Sequence, residues 1–326
     1  MASLLQVRGG SPMAMYMLDS SWPPGAASCA VTTRPGGGAR VVSDPLGEAK
    51  PPGWTRFVCF SDTRGCHDRI PAGHLPHADV LLHAGNFTSS GSPDEVQSFA
   101  EWLRRYPAGH CVVIAGNRDV TFEPDYYRHA WPRYHPAPYD CGEARARLLD
   151  GHCCVYLEGE AVEILGYRVY GSPWQPEFHD GAFNLRRGPA CHAAWERIPA
   201  DADVLLTHAP PCGFGDLREH YGRSGCEGLL AAVRGRGVPI SVAGNICEGY
   251  GCTSDETTLY LNASTFTSAG SPSNPPIVLD LPPAEDFQEA ANLGRRRAEG
   301  LLRLHAECVR NMGKVARADA ELADLL

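Results

Sequence analysis

Five short stretches of this chain end an apolar run in residues that bind metals or anions. They are Ser61-Asp62-Thr63-Arg64, Ala84-Gly85-Asn86, Ala115-Gly116-Asn117-Arg118-Asp119, Thr207-His208-Ala209-Pro210-Pro211 and Ala243-Gly244-Asn245-Ile246-Cys247-Glu248. Asp62, Asn117, His208 and Cys247 bring oxygen, nitrogen and sulfur donors of the kind that hold Zn²⁺ or Fe²⁺. Arg64 and Arg118 bring the opposite chemistry. A guanidinium is protonated at any accessible pH and has no lone pair for a metal, but it grips phosphate by paired hydrogen bonds.

The apolar runs that carry these clusters are Arg56–Ser61, Ala78–Ala84, Cys111–Ala115, Val204–Thr207 and Ile240–Ala243, short and rich in β-branched residues, which reads as buried strands. Helical stretches lie between some of them. Ser92 as N-cap, Pro93 at the first helical position and two acids in the first turn open one, with Val96, Phe99, Ala100 and Leu103 as its apolar face. Cys226–Arg234 reads as a shorter one. Gly159–Val162 and Glu163–Tyr170 read as a hairpin turning at Gly166-Tyr167, and Thr258–Leu261 and Ile277–Leu281 as late antiparallel strands. Strand, loop, helix and strand in alternation predict a layered α/β fold. In open α/β sheets ligands bind beyond the carboxyl ends of the strands, so five polar clusters there define one site.

Length and composition set the limits. With 326 residues, 43% hydrophobic, the chain can bury a full core. A net charge of −9 argues against a protein that grips nucleic acid through its phosphates. Thirteen cysteines without framework spacing, a start lacking a basic and apolar leader, and no run of about 18 apolar residues lead to the expectation of a cytoplasmic protein without a membrane segment. Residues 1–54, rich in Gly and Pro, read as a flexible arm, residues 55–283 as the domain, and residues 284–326 as an amphipathic helical extension that either packs back or binds a protein partner.

The ordered clusters, with Gly171-Ser172-Pro173-Trp174-Gln175-Pro176, Phe183-Asn184-Leu185 and Glu248-Gly249-Tyr250-Gly251, resemble the calcineurin-like metallophosphoesterases, most closely their metallophosphoesterase domain-containing subgroup. The resemblance covers residues 55 to 282. It implies a two-layer β sandwich flanked by helices, with a dimetal centre at the strand ends. Carried over residue by residue, it makes Asp62 a ligand of the first metal, with Arg64 in place of that metal's histidine. Asn86 replaces the bridging aspartate. Asn117 and His208 match ligands of the second metal, and Asn245 and Cys247 stand where two histidines would bind. Arg118 takes the place of the histidine that protonates the leaving group, beside Asp119, which matches the residue that orients that histidine.

These replacements change the chemistry. A bridging carboxylate offsets part of the repulsion between two cations, and an amide carries no charge to do so. Arg64 adds positive charge where the first metal would sit, and Arg118 has no proton to give near neutrality. The expectation is therefore no cofactor, or at most one weakly held Zn²⁺, Mn²⁺ or Fe²⁺, with Arg64 and Arg118 binding a nucleotide or phosphate. A pseudophosphoesterase is favoured over a weakly active metal-dependent phosphodiesterase and over a scaffold acting through residues 284–326. Plainer readings stand beside each residue. Asp62 pairs with Arg64 or Arg118, Asn117 suits a left-handed turn, and His208 is either a ligand or a hydrogen-bonded structural histidine. His67 is a remote substitute for the missing ligand, Trp174 a loop anchor, and Arg104-Arg105, Arg186-Arg187 and Arg295-Arg296-Arg297 solvated faces, with Arg186-Arg187 placed to reach an anion.

Overall fold

The computed structural model describes residues 39–295, except 43, 71–74, 256 and 294. Two six-stranded sheets face each other. The first runs, in spatial order, β1 (Arg40–Val41), β16 (Ile277–Leu281), β2 (Thr55–Phe60), β3 (Ala78–Ala84), β4 (Ala108–Ile114) and β5 (Val155–Tyr156). The second runs β14 (Gly251–Ser254), β15 (Leu259–Asn262), β13 (Ile240–Ala243), β10 (Val204–Thr207), β7 (Tyr167–Ser172) and β6 (Glu160–Ile164). Two short ribbons, β8 (Gln175–Pro176) with β9 (Asn184–Leu185) and β11 (Leu217–Arg218) with β12 (Gly222–Arg223), lie outside the sheets.

The alternation of side chains along each strand builds the layers. Phe57, Cys59, Val80, Leu82, Val112 and Ile114 point inward to meet Val169, Val204, Leu206, Ile240, Val242 and Leu261 of the other sheet. Val58, Phe60, Leu81 and Val113 point outward, where α1 (Pro93–Arg105) and α3 (Cys141–Leu149) cover them through Val96, Phe99, Trp102 and Leu148. On the opposite side α4 (Pro189–Trp195) and α5 (Glu227–Arg236) cover Tyr170, Leu205 and Tyr260 with Trp195, Leu229 and Val233. A short helix, α2 (Pro124–Ala130), follows the loop after β4. The expected two-layer sandwich flanked by helices is present. Ser92 and Glu95 close a reciprocal capping box on α1.

Three local expectations differ. The hairpin turns at Leu165-Gly166, with Ile164 opposite Tyr167 and φ of 50° and 83° at the two turn residues, because a two-residue turn matches the strand twist with both central residues left-handed. Ile277–Leu281 is antiparallel to β2, but β15 runs parallel to β13 in the other sheet and is antiparallel only to β14. The sheet also reaches back into the stretch assigned to the arm. Val41 and Val42 are buried, and β1 pairs with β16. Residues 1–38 lie outside the described residues.

Buried charge ties these edges together. Asp280 on β16 takes a two-pronged pair from Arg56 at 2.8 and 2.9 Å and a further bond from Arg40 at 3.0 Å. The first part of the C-terminal extension packs back on the domain: residues 284–293 are helical, Phe287 is buried against Tyr167, and Gln288 donates to Gly166 O and Asp203. Residues 296–326 lie outside the described residues. Among the described residues no helix is long and apolar enough to cross a membrane. Asp280→Ala leaves the buried Arg56 without its carboxylate, while Arg40 keeps Glu48, and is expected to cost about 3–5 kcal/mol, read as a lowered denaturant midpoint with an unchanged slope. No change in midpoint would show the pair to be dispensable.

Candidate functional site

The loops after β2, β3, β4, β10 and β13 leave the two sheets at one end and meet there. Asp62, Arg64, Asn86 and Asn245 all sit at positive φ, 55°, 48°, 56° and 62°. Backbone strain of this kind persists only where surrounding contacts over-determine it. The contacts are tight: a Cβ on Gly244 would fall 1.9 Å from Ser61 Oγ, and one on Gly116 would fall 2.5 Å from both Asn86 Oδ1 and His208 Cε1.

Asn86 is the hub. Its Oδ1 accepts from Arg118 N at 2.8 Å, which turns its amide hydrogens the other way. Nδ2 then donates to Asp62 Oδ1 at 2.8 Å and to Asn117 Oδ1 at 3.0 Å. Asp62 Oδ2 accepts from Ser61 Oγ at 2.8 Å and Asn245 N at 2.7 Å. Burial alone would raise the Asp62 pKa, but His208, Arg64 and the donors from Asn86 and Asn245 hold it down, at about 2. Arg64 Nη2 stands 3.4 Å from Asp62 Oδ1, one of the two pairings expected from the sequence.

His208 is fully buried between Ala84 O, 2.7 Å from Nδ1, and Asn117 Oδ1, 3.1 Å from Nε2. Both are acceptors, so a neutral ring can satisfy only one of them, and the second contact asks for a cation, either a ring proton or a metal ion. Burial holds the ring below its ordinary pKa, with Asp62 and the Ala84 carbonyl opposing. Asp119 brackets two loops, accepting from Asn86 N, Thr88 N, Thr88 Oγ1 and Gly116 N at 2.6–2.9 Å. Its bonds go to these donors and none to the Arg118 guanidinium. Burial pushes its carboxyl up to about 7 while those donors pull it down.

Cys247 turns its thiol to Glu248 Oε2 at 3.2 Å, and burial, then that carboxylate, pushes its pKa up to about 11. Asn245 Nδ2 donates to Gln175 Oε1 at 2.8 Å, and Gln175 passes a bond to Asn184 at 3.0 Å, joining the ribbon of β8 and β9 to the site. His67 is elsewhere: buried against Phe99 and Trp102, it meets Ser98 Oγ at 3.1 Å. Trp174 anchors its loop on Phe183. Arg187 is spent on the carbonyls of Gly225 and Ser224.

Three guanidinium groups face this floor. Arg64 lies over the Phe266 ring at 4.7 Å and Arg218 over Phe178 at 4.2 Å, and the Nε of each is buried without a partner among the described residues. Arg118 makes no side-chain hydrogen bond among the described residues, and burial first and then Arg64 depress its pKa. Burial also lowers that of Arg218, with Glu248, Cys247 and Asp62 opposing and Arg64 adding to it. Arg218 is invisible in sequence because only the ribbon of β11 and β12 carries it to the site. Gln175 lies within the run Gly171–Pro176, but no sequence pattern shows it as a partner of Asn245.

The calcineurin-like phosphoesterase profile matches residues 55–244, which include four of the five loops and reach the start of the fifth. The chain belongs to the calcineurin-like phosphoesterases. Metallophosphoesterase domain-containing protein 1 of Homo sapiens is 44% identical over 250 residues, covering 73% of this chain and 74% of that protein, and the Mus musculus protein of that name matches equally. A UPF0046 protein of Caenorhabditis elegans is 37% identical over 246 residues, covering 71% and 61%. In this phosphoesterase Asp62→Asn turns an amide hydrogen toward donors and is expected to cost about 3 kcal/mol near neutrality. Because the folded pKa of Asp62 is below its ordinary value of 3.8, that stability gap is full above about pH 4 and closes as pH falls toward about 2. Chemical denaturation of both proteins from pH 2 to 7 checks it; a gap independent of pH would contradict it.

Proposed function

We propose that this chain is a calcineurin-like phosphoesterase that does not assemble the two-metal centre and binds a phosphate-bearing ligand without cleaving it. The observation that carries this reading is the Asn86 amide, which donates to both Asp62 and Asn117, one residue matching a ligand of each metal. A carboxylate at that position could bridge two cations, whereas this amide presents hydrogens to the oxygens that would hold them. The remaining donors fit no better. Arg64 stands against Asp62, and Cys247 turns to Glu248.

The same replacements suit an anion. Arg64, Arg118 and Arg218 each carry donors without a strong partner, in a partly buried setting where a charge-assisted bond is worth more than in water. Arg118, at the position of the general acid, has no proton to give near neutrality, and the Asp119 carboxyl beside it is fully buried and bonded to loop donors. Calorimetry with inorganic phosphate, AMP and GMP in the presence of a chelator tests it. Wild type is expected to bind at least one of them, and Arg64→Ala with Arg118→Ala to lose about tenfold or more in affinity. Equal affinity in the two proteins, or none in wild type, would overturn the reading.

One observation favours a second reading. His208 Nε2 and Asn117 Oδ1 face each other at 3.1 Å, while Nδ1 meets the Ala84 carbonyl, a pair of contacts that either a second ring proton or a shared cation would explain. Asp62, Asn117 and His208 would hold that single divalent ion, which would act as a Lewis acid on a bound phosphodiester. Slow hydrolysis of an aryl phosphodiester with Mn²⁺ that disappears in His208→Ala supports this reading; no rate above that variant ends it.

A further inference from the structure

Three side-chain amides run outward from the floor of the site in one line. Asn245 is joined to Asp62 through its backbone N, and its Nδ2 donates to Gln175 Oε1 at 2.8 Å. Gln175 Nε2 donates to Asn184 Oδ1 at 3.0 Å, and Asn184 Nδ2 to the carbonyl oxygen of His179 at 2.8 Å. The direction of the line is set at its outer end. A backbone carbonyl only accepts, so Asn184 must turn Nδ2 to His179, which leaves its Oδ1 to receive Gln175 and, by the same step, Gln175 Oε1 to receive Asn245. Gln175 is buried, where an unpaired amide is costly, so each link holds the next.

The line ends in the loop between β8 and β9, which carries Phe178, and Phe178 is the ring under Arg218. The same ring meets His179 edge-on at 4.3 Å and Tyr221, from the turn between β11 and β12, at 5.3 Å. Asp216 fixes the base of that ribbon through Arg223 and Gly225 N, but the ribbon is only two residue pairs long, too short to direct a long side chain by itself. Among the described residues no hydrogen bond orients the Arg218 guanidinium, so the stacking on Phe178 does. We propose that Gln175 and Asn184 are positioning residues for Arg218: they hold Phe178 in place, and Phe178 aims the third guanidinium at the ligand. The inference rests on the phosphate-binding reading and extends it to residues that never touch the anion. Asn245, at a position where the resemblance puts a metal-binding histidine, becomes the inner end of this support, tying the aim of Arg218 to the Asp62 floor.

A double-mutant cycle on the full chain tests this, with calorimetry of whichever of inorganic phosphate, AMP and GMP binds the wild type most tightly. Arg218→Ala is expected to weaken binding about tenfold, and Gln175→Met and the half-buried Asn184→Ala about fivefold each, the effect of roughly one hydrogen bond. In the Arg218→Ala background neither substitution is expected to weaken binding further, although each still lowers the denaturant midpoint as it does alone. Phe178→Leu is expected to lose as much affinity as Asn184→Ala, and Phe178→Tyr, which keeps the ring, to retain it. An Asn184→Ala loss that persists in full without Arg218, or unchanged affinity in Asn184→Ala and Phe178→Leu, would overturn the proposal. Binding that depends on Arg64 and Arg118 but not on Arg218 would overturn it too and leave the phosphate-binding reading standing, whereas no binding by the wild type overturns both.

Discussion

The Asn86 amide organises the site because its polarity is dictated from outside. Arg118 N, fixed by the turn after β4, must donate to Oδ1, so Nδ2 has no choice but to face Asp62 and Asn117. Those oxygens come from different strands, and one amide group joins them where a carboxylate could not do so without countercharge. The left-handed backbone at Asp62, Asn86 and Asn245, the absence of a Cβ at Gly116 and Gly244, and the Asp119 bracket all serve to hold that contact. Loops that would otherwise fray are fixed by bonds among themselves.

Charge is the second constraint. Asp62 is ionised and buried, and the surplus positive charge comes from Arg64, Arg118 and Arg218, two of them stacked on aromatic rings that keep the guanidinium plane oriented. Two metal ions would add four positive charges to a floor that already carries three guanidinium groups. An anion instead relieves the mutual depression of Arg118 and Arg218 by Arg64. On the proposed reading, the phosphoesterase scaffold would take a phosphate-bearing ligand with guanidinium groups as the source of positive charge.

Much of this was legible in the chain. The strand ends that carry Asp62, Asn86, Asn117, His208 and Asn245 show as short apolar runs closing in small or polar residues, and the α1 cap is written in Ser92, Pro93 and Glu95. What was not legible depends on contacts distant in sequence. The direction of β15 is set by its pairing with β13, which no periodicity encodes, and β1, only two residues long, exists because Val41 and Val42 find a place beside β16. Arg218 reaches the site through a two-residue ribbon, and Cys247, a candidate ligand by its position, turns its thiol to its neighbour Glu248. Of the two arginines that the sequence offers as partners of Asp62, geometry favours Arg64.

The most direct test of the central claim is the metal content of the purified wild type beside a five-site variant, Arg64→His, Asn86→Asp, Arg118→His, Asn245→His and Cys247→His, after equal exposure to Mn²⁺. The wild type is expected to hold no stoichiometric metal and the variant about two ions per chain, because the strand ends still hold the geometry while the side chains supply the donors. Two tightly held ions in the wild type would contradict it.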